Sequence, residues 1–183
     1  FTFGAFGDWS TGIQEKWSSK DESQMSEVEK DEMWKEIRRI KKSNEEDCLE
    51  KQKKAAEEAE KIWESAEPAR SDHSYLVRKG VKSYGLKQVK RDGLDILLVP
   101  LLDEDGKIWS FQRIYPDQRR ADKILLKNGR TSGLYFTIGN LSIQRVVCEG
   151  YATGASIHAA TGYCVHVAFN AWNLKAVAQT IRK

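Results

Sequence analysis

The chain has 183 residues, enough for one domain with an accessory segment or for two small domains. Its 40% hydrophobic content suits a protein with a core, and its longest apolar run, around residues 96–102, is far too short to span a bilayer, so no membrane association is expected. The 30 basic and 27 acidic residues leave a net charge of +3, which permits nucleic-acid binding without demanding it, and the three scattered cysteines exclude a disulfide framework or a CxxC zinc pair and favour a reduced, cytoplasmic setting.

Residues 1–20 are aromatic and glycine-rich, and residues 4–13 read as a strand, a Ser10-Thr11-Gly12 turn and a returning strand. A lone hairpin is marginal in water. Because the chain opens on Phe1 rather than Met, this hairpin is expected to be the remnant of an upstream domain. Residues 21–70 form a second zone, free of Gly and Pro as far as Pro68 and crowded with Glu, Lys and Ala. Met33, Trp34, Ile37, Ile40, Cys48, Ala55, Ala59, Ile62 and Trp63 recur mostly at threes, fours and sevens, which is a helical period. Ser23 or Ser26 is the expected cap, Pro68 the stop, and Asn44 a place where the run divides into two helices. The interleaved charges make it a solvated segment rather than a chemical one.

Residues 71–140 start with one or two helical turns closed by Gly80, followed by an apolar strand over residues 94–102. Asp103-Glu104-Asp105-Gly106 then turns the chain into a strand over 107–115, and Asp followed by Gly is a good hairpin signal. After a turn at Pro116-Asp117, strands over 123–126 and 133–139 complete a small antiparallel sheet. Residues 141–183 change pattern: strand 144–148, helix 152–161 closed by Gly162, strand 164–169, helix 174–181. Strand, helix, strand, helix at this spacing predicts a βαβ unit and a parallel pair, so the class is α+β.

Functional groups collect at the carboxyl ends of parallel strands, and Glu149 stands there, directly after Val146-Val147-Cys148. Gly150 permits a tight turn and close approach of a ligand to the backbone, and the following helix aims its amides at the same spot. The alternative is a glutamate that merely suits the positive end of a helix. Arg119, Arg120, Lys123, Lys127 and Arg130, flanked by Tyr115 and Tyr135, form a basic patch suited to phosphates, or else a solvated loop. The stretch over residues 128–133 lacks the Gly-Lys-Ser/Thr ending and the following helix of a P-loop. His73, His158 and His166 have no ligand spacing with the cysteines, so no zinc is expected, and Cys148 reads as a buried strand cysteine rather than a nucleophile.

The run Val146-Val147-Cys148-Glu149-Gly150-Tyr151-Ala152-Thr153-Gly154-Ala155-Ser156 resembles the first motif of TOPRIM domains. Residues 157–162 and 167–174 resemble its continuation in phage and plasmid DNA primases, and Leu98-Val99-Pro100-Leu101, Asp105-Gly106, Ser110-Phe111-Gln112-Arg113-Ile114 and Lys123-Ile124-Leu125 resemble the subdomain that precedes it. The resemblance implies template-directed RNA primer synthesis on single-stranded DNA from ribonucleotides, with a helicase as a further candidate partner. It implies that Glu149 acts as general acid/base or as a ligand of Mg²⁺ (or Mn²⁺). Arg113, Lys123, Lys127 and Arg130 would face template or nucleotide phosphates, and Asn170 and Asn173 would line the loop beside Glu149. No Asp-x-Asp pair follows Glu149, so this chain is expected to hold metal weakly, to be inactive alone and to be part of a longer primase. A TOPRIM nuclease and a non-catalytic single-stranded DNA-binding module are the alternative functions.

Overall fold

A computed structural model describes residues 2–8, 13–116 and 123–182. The expected Ser10–Gly12 turn, Asp117, Arg119 and Arg120 lie outside the described residues. The chain divides into two units, Phe1–Asp47 and Cys48–Lys183.

In the first unit, β1 (Phe3–Asp8) and β2 (Ile13–Ser18) pair antiparallel from Phe3 opposite Ser18 to Asp8 opposite Ile13. Past a 3-10 turn at Glu22–Gln24 begins α1 (Glu27–Ser65). Of the two expected caps, Ser26 is the one used: the Glu29 amide donates to Ser26 Oγ at 3.3 Å while the Ser26 amide donates to a Glu29 carboxylate oxygen at 2.8 Å. This reciprocal box satisfies two amides that a helix start would otherwise leave open. The helix runs through Asn44 unbroken, contrary to the division expected there. An interior asparagine costs only about 0.7 kcal/mol, far less than a proline.

The second unit is built on a five-stranded antiparallel sheet in the order β3-β4-β5-β6-β7. Its strands are β3 (Glu67–Pro68), β4 (Lys87–Arg91), β5 (Leu94–Leu102), β6 (Ile108–Ile114) and β7 (Lys123–Leu125). Between β3 and β4 lies α2 (Ser74–Lys79), closed by Gly80 in the left-handed conformation. β5 is apolar from Ile96 to Leu102 because both faces of the sheet are covered there. Leu97, Val99 and Leu101 join Tyr75, Leu76 and Ile114 in one buried cluster, while Leu98, Phe111 and Leu126 pack with Ala55 and Ala59 of α1 in another. Small alanines at helical spacing let the α1 backbone approach the sheet.

The polar sequence of β4, Lys-Gln-Val-Lys-Arg, hid it from the sequence reading, although Asp92-Gly93 carries the stronger hairpin signal. Arg91 pairs Leu94 directly, and both loop residues have positive φ (52° and 77°), as a two-residue type I′ turn requires. At the other end of β5 the register slips: Leu101 faces Ser110 but Leu102 faces Ile108, so Trp109 is the extra residue of a β-bulge.

A second sheet has the order β8-β10-β9, made of β8 (Phe136–Ile138), β9 (Arg145–Cys148) and β10 (Cys164–Val167). β9 and β10 are parallel, joined through α3 (Tyr151–Thr161), and α4 (Leu174–Ile181) follows a 3-10 turn at Ala171–Asn173. The expected strand, helix, strand, helix order is therefore present. One placement differs: β8, read as part of the antiparallel sheet, instead pairs antiparallel with β10. Its Phe136 and Ile138 face Val167 and Val165 and enter their buried cluster. An isolated bridge, Leu102 to Tyr135, links the two sheets. Gly154 lets α3 settle on the parallel pair, since a Cβ there would lie 3.0 Å from both Cys148 Sγ and Val167 Cγ2.

His166 is buried in β10, with Nδ1 3.0 Å from Thr137 Oγ1, Nε2 3.6 Å from Cys164 Sγ, and Tyr135 edge-on at 5.1 Å. Burial, aided by the charge of Arg145, lowers its pKa, so the folded state keeps the ring neutral. The unfolded chain takes up a proton near pH 6.5, so the stability contributed by neutral His166 is full above that pH and is lost as pH falls below it. Urea unfolding at pH 7.5 and pH 5.5 is expected to show a loss that shrinks in His166→Gln. One such group accounts for at most about 1.4 kcal/mol per pH unit.

Candidate functional site

The hydrogen-bond ladder of the parallel pair runs one step past the strands. Ala168 donates to the Cys148 carbonyl and Phe169 to the Glu149 carbonyl, each at 2.8 Å. That fixes the main chain of Glu149 while its side chain stays exposed. Gly150, extended at φ −116° and ψ 148°, then leads into α3. A Cβ on Gly150 would lie 3.9 Å from Lys123 Nζ, so the ammonium group at the start of β7 stands over the Glu149–Gly150 turn. The exposed Glu149, the Lys123 ammonium over Gly150 and the amide end of an 11-residue helix thus belong to one strand end. The set can accept a proton from a hydroxyl and hold a phosphate. Burial pushes the neighbouring Cys148 thiol up to about 11, which keeps it protonated and a poor nucleophile near neutral pH.

Phe169 is buried in the left-handed region at φ 70°, a conformation that costs a bulky residue on the order of 1–3 kcal/mol. Such strain persists only where the surroundings enforce it, and here it serves the sharp exit of β10 beside Glu149. Asn170 Oδ1 caps the following turn by accepting from the Asn173 amide at 2.9 Å. Asn173, 5% exposed, accepts from the Gly133 amide (2.8 Å) and donates to the carbonyls of Leu134 (2.9 Å) and Ala168 (3.0 Å). Its amide is taken up by main chain, and it ties the loop after β10 to the segment that leads into β8.

The remaining predicted residues do not all converge. Lys123 sits opposite Ile114, on the face of the sheet that Leu97 buries, whereas Arg113 sits opposite Leu98 on the α1 face. The Arg113 guanidinium lies 5.1 Å from the centre of the Phe111 ring. Lys127 is exposed in the turn after β7, and the Arg130 guanidinium lies 5.0 Å from the centre of the Trp109 ring. A concavity of about 500 Å³ lies elsewhere, among Ser65, Glu67, Arg70, Gln88, Lys90 and Asp95, and holds none of these residues. Among the described residues no three His, Cys, Asp or Glu side chains are grouped to hold a metal ion. Glu149 alone does not fit Mg²⁺, which takes several oxygen ligands. Sequence reasoning missed Phe169, whose role depends on a backbone angle, and Trp109, whose role depends on a bulge.

Among the described residues no helix is long and apolar enough to cross a membrane. No protein-family model and no solved structure matches the chain. It is 27% identical over 176 residues to a protein of Escherichia coli described as DNA primase TraC, covering 93% of this chain and 16% of that protein. A second Escherichia coli protein of the same description is 29% identical over 119 residues, covering 62% of this chain and 8% of its own length. This chain is therefore similar to one portion of a DNA primase, and it spans 16% or less of each of these two relatives.

Proposed function

We propose that this chain is the part of a plasmid- or phage-type TOPRIM DNA primase that brings the motif glutamate to the growing primer. Residues 71–140 serve as the subdomain facing the template and residues 141–183 as the first half of the TOPRIM domain. The reaction is template-directed RNA synthesis from ribonucleotides on single-stranded DNA. The observation that carries this reading is the gathering of Glu149, the Gly150 backbone and Lys123 at the end of a parallel strand, in a chain similar to TraC. An exposed carboxylate there can take the proton of an attacking sugar hydroxyl, and Lys123 can neutralise phosphate charge beside it. Lys127, Arg130 and Arg113 supply cations for the backbone of template or nucleotide, on more than one face of the small sheet. Asn170 and Asn173 hold the loop rather than touch the nucleotide. Mg²⁺ (or Mn²⁺) belongs to the reading as the usual phosphate-bridging ion, with Glu149 as one ligand of several. The residues described here do not complete that site.

Primer synthesis is the test. The protein that carries this sequence, given single-stranded DNA, Mg²⁺ and labelled ribonucleotides, is expected to make short RNA that its Glu149→Gln variant does not. DNA cleavage instead would establish a nuclease, and tight DNA binding with no product from either protein would establish a binding module.

A further inference from the structure

The bulge in β6 has a consequence for how single-stranded nucleic acid would be held, an inference that rests on the nucleic-acid reading above. A bulge re-aims the side chain of its extra residue, and here that residue is Trp109. Phe111, two residues on, packs in the cluster shared with α1, whereas Trp109 packs against the opposite cluster, the one that contains Leu101 and Leu134. The indole is half-buried and its orientation is locked, because Nε1 donates to Asp103 Oδ2 at 2.7 Å. Asp103 is itself held by the main-chain amides of Asp105 (3.1 Å) and Lys107 (2.9 Å). Burial opposes its ionisation, but those hydrogen bonds and the nearby Arg130 outweigh it and keep the carboxyl below the usual range, hence charged. Two cations address the same ring: Lys107 Nζ at 4.7 Å and the Arg130 guanidinium at 5.0 Å from its centre. The indole, held by Asp103, thus keeps the half-buried Arg130 guanidinium beside it.

We propose that Trp109 and Arg130 form a stacking platform for one unpaired base of a single-stranded nucleic acid. The Arg130 guanidinium, 5.0 Å from the indole centre, is a flat group that any base can cover, and Lys107 before β6 and Lys127 after β7 can meet the phosphates. Glu104 and Asp105 share the turn with Lys107 and repel a long phosphate track. The site therefore suits a single stacked nucleotide rather than an extended charged groove. Trp109 acts as a positioning residue and Arg130 as the contact. The phosphate charge alone would be met as well by lysine; the plane would not.

The test compares the 183-residue chain with Arg130→Lys, Trp109→Leu and Trp109→Phe, binding a ten-nucleotide thymidine strand and the same backbone without bases. The parent is expected to prefer the base-bearing strand by about 5- to 100-fold, the worth of one stacked base. Arg130→Lys keeps the charge and should lose that preference while still binding both strands. Trp109→Leu should lose it too, and Trp109→Phe should recover part of it, which a merely structural tryptophan would not predict. An undiminished preference in Arg130→Lys overturns the inference, as does a parent that binds both strands equally; either result leaves the nucleic-acid reading standing. A parent that binds neither strand overturns both.

Discussion

Replacing Asn173 by leucine is expected to lower the unfolding free energy of the second unit by about 3–5 kcal/mol, measured by urea denaturation. The figure follows from what the amide leaves behind. The Gly133 amide and the Leu134 and Ala168 carbonyls would each lose a partner, and Leu134 and Ala168 are fully buried. An orphaned buried polar group costs about 1–3 kcal/mol, and leucine, though similar in volume, repairs none of the three. Asn173→Asp keeps an acceptor for Gly133 but opposes a carboxylate to two carbonyls, so it should fall no less far. Asn170→Ala removes only a cap and should cost about 1 kcal/mol. A loss at position 173 no larger than at position 170 would show that the loop after β10 is not held as described.

The second large effect is on chemistry rather than stability. Glu149→Gln is expected to reduce primer synthesis at least about 100-fold, the low end of what a positioned general acid/base contributes. Its unfolding midpoint should barely move, because the side chain is exposed and glutamine is its isostere. Lys123→Ala should act differently. A lysine beside the turn binds phosphate charge in substrate and transition state alike, so its removal should raise KM for the nucleotide more than it lowers kcat. Equal losses in kcat for both variants, with KM unchanged, would instead place Lys123 in the chemical step.

Much of this architecture was legible because its signals are local. The cap at Ser26, the left-handed closures at Gly80 and Gly162, and the apolar run over residues 96–102 of β5 are each set within a few residues. β4 escaped because only Val89 in Lys-Gln-Val-Lys-Arg is a strong strand former, and the sheet, not propensity, holds it extended. β8 was recognised as a strand but given to the wrong sheet, since pairing partners follow from long-range packing that no window of sequence contains. The candidate site divides in the same way. Glu149 and Gly150 announce themselves by standing between an apolar strand and a helix. That Lys123 reaches them while Arg113 faces the other side of its sheet depends on strand register alone. Asn173, read as a loop residue beside the site, proves to be bonded to main chain on three sides.

The most direct measurement asks whether a ribonucleotide occupies the turn between β9 and α3. Periodate-oxidised GTP carries a ribose dialdehyde that forms an imine with a nearby lysine amine, which borohydride fixes for peptide mapping. A label on Lys123 is expected, one that unmodified GTP prevents and that Glu149→Gln retains. A GTP-protected label on Lys90, in the concavity beside β4, with Lys123 unmarked, would contradict it.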